Sequence, residues 1–416
     1  MHNIGIYPKL FINASIFLFF TLLLMLPKGY NYGSTALLVL SIFFLCYRLY
    51  KRVSFVEIVK QNKTIFGVTT FYFLVSLFFI FFHGEKFNLI DNPLRAFLFL
   101  SVIIFVVYSS VKLDILIYSI PLGAFISGII ALYQYYILNL ESAFYSQMKI
   151  QSGDMAMSLG LFSFVIALHL LDTNKSKLAM LVIVSGIFGI LASLLSFSRG
   201  GWVAFPLVLI FLFALYNSIF SKKTFAITLI TILLSLSLLS LNNKVVERVV
   251  VIQKQLLAYV GGYKISKVDS VGERLDMWYV GVKALQEHPI SGWGSRGLDA
   301  YKQSLATKGE INSASIGYTH LHNQFIDELA KKGIVGGIAI LSVFIIPLCL
   351  FYRKAVGQLN KRIKLISILG IVHVLSMIIY CMTQSFLAHN SGNIFYFFVL
   401  FLFYAFMVNE SDTTSE

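Results

Sequence analysis

Apolar segments dominate this sequence, and most are long enough to cross a bilayer as a helix, which takes about 20 residues. Because a soluble fold cannot bury so many apolar runs, the chain is predicted to be an all-α polytopic membrane protein with about 12 transmembrane helices. No small-residue cleavage site follows the first segment, so it is not read as a signal peptide. The twelve predicted spans are residues 10–26, 33–49, 65–82, 95–111, 114–137, 155–171, 178–196, 202–220, 224–241, 334–352, 365–383 and 393–408.

Lysine and arginine are unevenly distributed over the connections. The helix ends on one side carry only Lys28, Lys86, Arg95, Lys149 and Arg199. The ends on the other side carry Lys9, Arg48, Lys51, Arg52, Lys60, Lys63, Lys112, Lys175, Lys177, Lys222, Lys223, Arg353, Lys354, Lys361, Arg362 and Lys364. Positively charged connections stay in the cytoplasm, so both termini are predicted to be cytoplasmic, with a frayed polar tail at 409–416. The net charge of +14 is attributed to this anchoring and to anionic lipid or phosphate ligands, and no nucleic acid partner is expected.

One connection is much longer than the others. Residues 242–333, between the ninth and tenth spans on the non-cytoplasmic side, contain helix-compatible patterns at 244–260, 271–287 and 319–332. A turn region at 289–297 and a polar stretch at 303–318 separate the last two patterns. Loops of this length are usually functional. The chain is therefore divided into spans one to nine (1–241), a helical loop with the reactive motifs (242–333), and spans ten to twelve with a short tail (334–416).

The strongest candidate for chemistry is the segment T-H-L-H-N near the end of this loop. Near neutral pH, the imidazole of His322 can accept a proton from an attacking hydroxyl, which makes it the candidate general base. The alternative is a hydrogen-bonded interfacial histidine. His320, Asn323 and several arginines accumulate on the same side of the membrane, and this accumulation favours chemistry. His320 is placed on a different helical face from His322.

Other polar residues receive structural interpretations. Asp327 and Glu328 are interpreted as the solvated side of the helix that follows the histidines. His169 and His373 are interpreted as packing residues. The sequence lacks the ligand clusters and spacings of metal sites, and it predicts neither a bound metal nor a disulfide framework. The cysteines, which lie in or beside apolar runs without a CxxC spacing, are Cys46, Cys349 and Cys381.

Two arginines on the non-cytoplasmic side are the main candidates to bind phosphate. Arg199, in S-F-S-R-G-G-W, begins the eighth span, and a guanidinium can hold phosphate through two parallel hydrogen bonds. The alternative is a helix-end anchor that reaches the lipid headgroups. Arg274, in V-G-E-R-L-D-M-W, starts an amphipathic helix, where an ion pair with Glu273 or Asp276 is the alternative.

Two further arginines are weaker candidates for the same role. Arg95 lies at the non-cytoplasmic end of the fourth span. Arg296 follows G-W-G, which resembles a phosphate-binding loop only superficially because no strand precedes it. This segment is interpreted as a tight turn that packs Trp293 at the membrane interface.

Taken together, these motifs resemble those of the O-antigen ligase family, which also contains O-antigen polymerases and bacterial O-oligosaccharyltransferases. The most specific feature is His322-Asn323 followed by nine residues and G-x-x-G at Gly333 and Gly336. The segments S-R-G at 198–200 and G-x-R-L-x-M-W at 272–278 resemble the two arginine motifs of the family. The twelve-span layout with a large loop between spans nine and ten is similar as well.

The resemblance implies a metal-independent, inverting glycosyltransferase of the C-type membrane fold, without a cofactor, in the bacterial inner membrane. Such an enzyme transfers a glycan from undecaprenyl diphosphate to the lipid A-core oligosaccharide on the periplasmic face. Arg199 and Arg274 would hold the diphosphate, and His322 would act at the reacting centre. Further substrate contacts would come from Arg95, Arg296, His320 and Asn323.

Three alternatives remain open. An O-antigen polymerase and a protein O-oligosaccharyltransferase would use the same lipid-linked donor, although the spacing from His322 to the glycines favours the ligase. A lipid-linked oligosaccharide transporter would need charged residues within its spans, and the predicted spans carry almost none. The oligomeric state is not predicted.

Overall fold

The computed structural model describes residues 6–145, 147–215, 250 and 272–412. All regular secondary structure within these residues is helical, which confirms the all-α class. The helices are α1 (Ile6–Leu22), α2 (Tyr32–Tyr50), α3 (Val56–Gln61), α4 (Lys63–Phe82), α5 (Asp91–Leu98), α6 (Leu100–Ser109), α7 (Asp114–Leu132), α8 (Lys149–Asp172), α9 (Ser176–Leu195), α10 (Arg199–Leu215), α11 (Gly272–Glu287), α12 (Gly294–Thr307), α13 (Gln324–Ala355), α14 (Lys361–Thr383) and α15 (Asn390–Asp412).

Across the described residues, nine helical segments are long and apolar enough to cross a membrane. Two shorter apolar helices, Pro8–Leu22 and Arg199–Leu212, accompany them. Together these segments overlap every predicted span except the ninth, 224–241, which lies outside the described residues. The chain is therefore a multi-pass membrane protein. The predicted fourth span is divided into α5 and α6, which meet at Phe99.

The described helices belong to two compact units. The first, here called the membrane unit, comprises Met1–Val208 and Ile338–Glu416. Its most enclosed helix is α15, in which every residue from Ile394 to Met407 is buried. Glycines allow α8 and α9 to approach closely, as is common between membrane helices: a Cβ atom on Gly189 would lie 2.9 Å from the backbone nitrogen of Gly160.

The second, here called the loop unit, comprises Leu209–Gly337. Helices α11 and α12 each contribute three buried residues with the same i, i+3, i+7 spacing, which puts them on one face of each helix. Ile311, from the segment after α12, and Leu321 and Ala330, from around the start of α13, complete this core. The buried residues of the two helices are Met277, Val280 and Ala284 on α11, and Leu298, Tyr301 and Leu305 on α12.

Helix α12 was not predicted. It occupies the end of the expected turn region and part of the expected polar stretch. Its first residues, G-S-R-G, have low helix propensity, and no side chain caps its N-terminus, so the sequence carries no start signal there.

Two other boundaries also differ from prediction. The pattern at 319–332 was expected to be helical throughout, but α13 begins only at Gln324. Residues 409–412, predicted to be frayed, continue α15, and Glu410 accepts a hydrogen bond from Arg362 Nε at 2.9 Å. The pattern at 271–287 is confirmed by α11, whereas the pattern at 244–260 lies outside the described residues.

Candidate active site

Residues Tyr318–Asn323, here called the histidine loop, turn sharply before α13. His322 has a φ of 50°, in the left-handed region that residues with a side chain rarely adopt. Its ring packs edge-on against the rings of His320, at a centroid distance of 4.4 Å, and of Tyr318, at 5.0 Å. The placement of His320 on a different helical face was therefore wrong, because both histidines precede the helix and the turn brings their rings together.

An ion pair on α13 holds the backbone of the histidine loop. Asp327 Oδ1 accepts a hydrogen bond from the Leu321 amide at 3.0 Å, and Lys331 Nζ donates to the Thr319 carbonyl at 3.2 Å. The two side chains pair with each other at 2.8 Å. Asp327 and Glu328 are only 3% and 8% exposed, so their interpretation as a solvated helix face was wrong. Asp327 is buried because the histidine loop folds back onto the first turns of α13.

A second lysine holds the start of the loop. Lys302 on α12 is 1% exposed and donates to the Tyr318 carbonyl, and its charge is paired with Asp299 at 2.7 Å. A buried ammonium group is stable only where its charge is paired and its protons are donated. The carbonyl of Tyr318 is therefore held in a defined position.

Asn323 ends the loop and caps α13. Its side-chain oxygen accepts hydrogen bonds from the amides of Phe325 at 3.0 Å and Ile326 at 3.2 Å, as an N-cap residue does. This cap fixes the direction in which the chain leaves His322. The substrate contact expected of Asn323 stays a prediction.

The first turn of α11 meets the histidine loop at Tyr318. The Tyr318 hydroxyl donates to Glu273 Oε2 at 2.7 Å. This hydrogen bond and burial raise the pKa of Tyr318, while the positive charge of Arg274 lowers it in part. Two turns further along α11, Gly281 allows close packing on the start of α13, since a Cβ atom there would lie 2.2 Å from a side-chain carbon of Ile326. The second arginine motif, through Glu273, and the histidine motif, through His322, thus both contact Tyr318.

Both carboxylates considered as ion-pair partners of Arg274 bind other groups. Glu273 accepts from Tyr318, as described above. Asp276 Oδ2 accepts from the Asn312 amide at 2.9 Å and from the Ser315 hydroxyl at 3.3 Å. Both carboxylates therefore hold the segment that leads into the histidine loop.

The G-x-x-G signature marks a kink in α13. Gly333 has a φ of 63° and a ψ of −161°, and a Cβ atom there would lie 2.2 Å from the Ile290 carbonyl oxygen. The Ile334 amide donates to the Pro289 carbonyl at 2.7 Å in place of a helical hydrogen bond. Glycine at 333 is therefore required by the backbone conformation and by the close approach of the neighbouring turn.

Arg296 is exposed on the first turn of α12. The preceding Trp293 stacks on Tyr301 at a centroid distance of 4.6 Å and donates from its indole nitrogen to the Ala284 carbonyl at 3.2 Å. Gly292 and Gly294, with φ values of 64° and 65°, form the predicted turn around Trp293, which packs against the core of the loop unit. Arg296 itself lies beyond this turn, because α12 has already begun.

In the membrane unit, Arg199 is the first residue of α10, and the turn before it packs against α8. Ser198 Oγ donates to Asp154 Oδ1 at 2.6 Å, and Asp154 is fully buried. Sequence reasoning missed Asp154 because the sixth span was taken to begin at residue 155, whereas α8 begins at Lys149. A lone carboxylate inside a membrane helix is the signal that could have identified it.

Arg95 joins two helices of the membrane unit. Its guanidinium donates to the side-chain oxygens of Asn92 at 3.0 Å and Asn390 at 3.1 Å, and so connects α5 to the start of α15. Whether Arg95 and Arg199 act together with Arg274 and His322 stays a prediction.

Of the two histidines predicted to pack, His373 does so, whereas His169 is buried but lines a cavity. His373 is fully buried among aromatic rings and shares a hydrogen bond of 2.9 Å with the Tyr396 carbonyl. His169 is buried beside a cavity of about 420 Å³, which is also lined by Lys175, Lys361 and Arg362. This cavity contains none of the candidate site residues.

Comparison with known proteins identifies the family. A family model described as O-antigen ligase matches residues 181–341, which include Arg199, Arg274, the histidine loop and the kink at Gly333. A Haemophilus influenzae protein, described as uncharacterized, is 35% identical over 394 residues, which is 94% of this chain and 97% of its own length. Members of the matched family are glycosyltransferase-like enzymes. This chain belongs to the O-antigen ligase family.

Proposed function

We propose that this protein is an O-antigen ligase, which transfers a glycan from undecaprenyl diphosphate to the lipid A-core oligosaccharide. The observation that carries this proposal is the contact of Tyr318 with both motifs: its hydroxyl donates to Glu273, the sequence neighbour of Arg274, and its ring packs against His322. An arginine for the diphosphate and a base for the acceptor hydroxyl, held on one scaffold, are what glycosyl transfer from a diphosphate needs. The proposal includes a location in the inner membrane, cytoplasmic termini, and residues 242–333 in the periplasm.

The reaction exchanges one bond at the anomeric carbon for another. A hydroxyl oxygen of the acceptor forms a bond to this carbon while the bond to the diphosphate oxygen breaks on the opposite face, so the configuration inverts. Undecaprenyl diphosphate leaves with the bonding electron pair, and the hydroxyl proton passes to His322. General base help of this kind contributes about 10²- to 10⁴-fold to a rate.

Charge develops on the departing diphosphate during this exchange. Fixed guanidinium groups stabilise such charge without reorganising, and their planar forks match phosphate oxygens. In this proposal Arg199 and Arg274 provide that stabilisation without a divalent ion. His320, Arg95, Arg296 and Asn323 are the proposed further substrate contacts.

The test uses the purified protein, undecaprenyl-diphosphate-linked glycan and lipopolysaccharide that ends at the core, with products separated on a gel. Glycan-capped lipid A-core is the expected product, in the presence of EDTA as well as in its absence. If the lipid-linked glycan lengthens while the core stays bare, the protein is a polymerase and the proposed acceptor is wrong. A protein acceptor added in a parallel reaction detects O-oligosaccharyltransferase activity in the same way.

A further inference from the structure

We infer that Asp154 is a positioning residue for Arg199: its buried carboxylate holds the turn that presents this guanidinium to the diphosphate of the donor. The inference rests on the proposed function, because it adds a residue to the same site. It concerns only the membrane unit, in which both residues lie.

The carboxylate of Asp154 touches the chain on both sides of Arg199. Before Arg199, Ser198 Oγ donates to Asp154 Oδ1 at 2.6 Å. After Arg199, the backbone of Gly200 lies so close that a Cβ atom on it would be 3.0 Å from both carboxylate oxygens. One side chain on α8 therefore positions the residues that flank the arginine.

The conformation of the turn before Arg199, and its close packing on α8, bring Ser198 to this carboxylate. A Cβ atom on Gly153 would lie 1.9 Å from Ser196 Oγ and 2.7 Å from Ser198 Cβ, so glycine is needed for the turn to sit on α8. Phe197 takes a φ of 57°, and the Ser198 amide donates to Ser196 Oγ at 3.1 Å. A left-handed residue within the turn, together with the close approach of Gly153 to the serines on either side of it, indicates that the position of this turn is closely specified.

A carboxylate is a costly residue for a purely structural contact inside a membrane helix. The neighbouring positions on the same face of α8 use neutral groups: Gln151 accepts from Ser391, and Ser158 shares a hydrogen bond of 3.1 Å with the Tyr380 hydroxyl. Neutral hydrogen bonds therefore suffice to join the helices here. Of these three positions, only the one next to the arginine turn has an ionisable side chain.

The electrostatic surroundings of Arg199 explain why a carboxylate is useful at position 154. Arg199 is the first residue of α10, where the partial positive charge of a helix N-terminus disfavours a cation. The carboxylate of Asp154 against this first turn offsets both positive charges before the donor binds. A substrate-free site can then keep Arg199 at the helix start in a defined geometry.

The test is a double-mutant cycle on the purified full-length protein, with undecaprenyl-diphosphate-linked glycan as the varied substrate. Asp154→Ala is expected to lower kcat/KM for this donor by about 10-fold or more, because a displaced binding group loses most of its effect. The KM for the acceptor is expected to stay unchanged. In the Arg199→Ala background, the same substitution is expected to cause little further loss, because Asp154 acts through the arginine.

Two milder variants refine the test, and they replace Asp154→Ala in the cycle if that protein is not monodisperse. Asp154→Asn retains an oxygen for Ser198 but no charge, and Ser198→Ala removes only the hydroxyl, so both are expected to give intermediate losses. Ser163→Ala is the matched control, since the hydroxyl of this buried serine of α8 donates within its own helix, to the Leu159 carbonyl. It is expected to match the unmodified protein.

The inference would be overturned if Asp154→Ala lowered kcat/KM for the donor by the same factor in the presence and in the absence of Arg199. It would also be overturned if Asp154→Ala lowered kcat/KM while Arg199→Ala had no effect. Failure of the proposed function looks different. If the glycan goes to another acceptor, the same cycle is measured with that acceptor, and a non-additive result still supports the role of Asp154.

Discussion

Tyr318 donates its hydroxyl to Glu273 at 2.7 Å, and this bond ties the helix of one arginine motif to the loop of the histidine motif. Glu273 directly precedes Arg274 in the sequence. The ring of the same tyrosine packs against the ring of His322, at a centroid distance of 5.0 Å. Two motifs separated by more than 40 residues of sequence thus share one side chain. The relative position of Arg274 and His322 should therefore depend on this tyrosine.

Tyr318→Phe tests this dependence because it removes the hydroxyl and keeps the ring against His322. We expect kcat/KM for glycan transfer to fall by about 10-fold, since a hydrogen bond to a charged group contributes about 1.5–3 kcal/mol. The control is Tyr279→Phe, because Tyr279 on the same helix makes a similar bond of 2.9 Å to Glu310 at an exposed site. Equal activity of the two variants would show that the tie to Glu273 does not matter.

The pH dependence of Tyr318 has a defined sign. Its pKa is raised in the folded protein, chiefly by the bond to Glu273. The stability from this bond is therefore full below the unfolded pKa of about 10 and is lost only as pH rises through the folded value. Between about pH 6 and 9, the profiles of the unmodified protein and of Tyr318→Phe should be parallel, and a difference in slope within this window would contradict the assignment.

His322→Ala should lower the rate of transfer by about 10²- to 10⁴-fold if the imidazole takes the hydroxyl proton. Membrane insertion and monodispersity should be unchanged, because the ring is only half-buried. His320→Ala should cause a smaller loss, since in this account its ring supports that of His322. Single-turnover rates measured with saturating donor compare the two variants, and a fully active His322→Ala protein would remove this residue from the mechanism.

The transmembrane helices were predictable because the backbone of an apolar segment that crosses a bilayer must form its hydrogen bonds internally, and a helix of about 20 residues does so. What the sequence did not reveal are contacts that depend on another segment. Asp327 follows a pattern typical of a solvated helix face, and only the return of the histidine loop buries it. Asp154 lies one residue outside the apolar window that marked the sixth span, although α8 includes it. Such local patterns cannot report what covers a side chain.

The burial of Asp327 leads to a prediction of its own. Asp327→Ala removes the acceptor of the Leu321 amide and the carboxylate that pairs with Lys331, and breaking a buried pair in this way costs about 3–5 kcal/mol. We expect lower thermal stability together with a loss of transfer, because the histidine loop loses an anchor.

Glu328→Ala is the matched control for this prediction. Glu328 also forms a nearly buried i, i+4 pair, at 2.7 Å to Lys332, but its described contacts lie within α13. This variant should lose stability and retain more activity per folded molecule than Asp327→Ala. The same activity per folded molecule in the two variants would show that Asp327 does not position the loop.

Gly333→Ala examines the kink in α13. The substitution is unfavourable for two reasons: the backbone φ of 63° is strained for alanine, and the added Cβ atom would lie 2.2 Å from the Ile290 carbonyl oxygen. Gly309→Ala shares the first reason, at a φ of 69°, but nothing lies within 4 Å of its added Cβ atom. We expect Gly309→Ala to cost about 1 kcal/mol and Gly333→Ala clearly more, measured by thermal unfolding in detergent. Equal melting temperatures would mean that the turn at Pro289–Ile290 moves away without cost.

Replacement of Arg274 distinguishes a phosphate fork from a simple positive charge. Arg274→Ala should impair use of the lipid-linked donor, and Arg274→Lys should restore little of it, because an ammonium group cannot make two parallel hydrogen bonds to phosphate oxygens. Arg296→Ala, at an exposed position on α12, should have the smaller effect. The measurement is the KM for donor, with and without EDTA. Full rescue by lysine would show that Arg274 acts through its charge alone. Loss of activity in EDTA that a divalent ion restores would show that the reaction requires a metal ion in addition to the arginines.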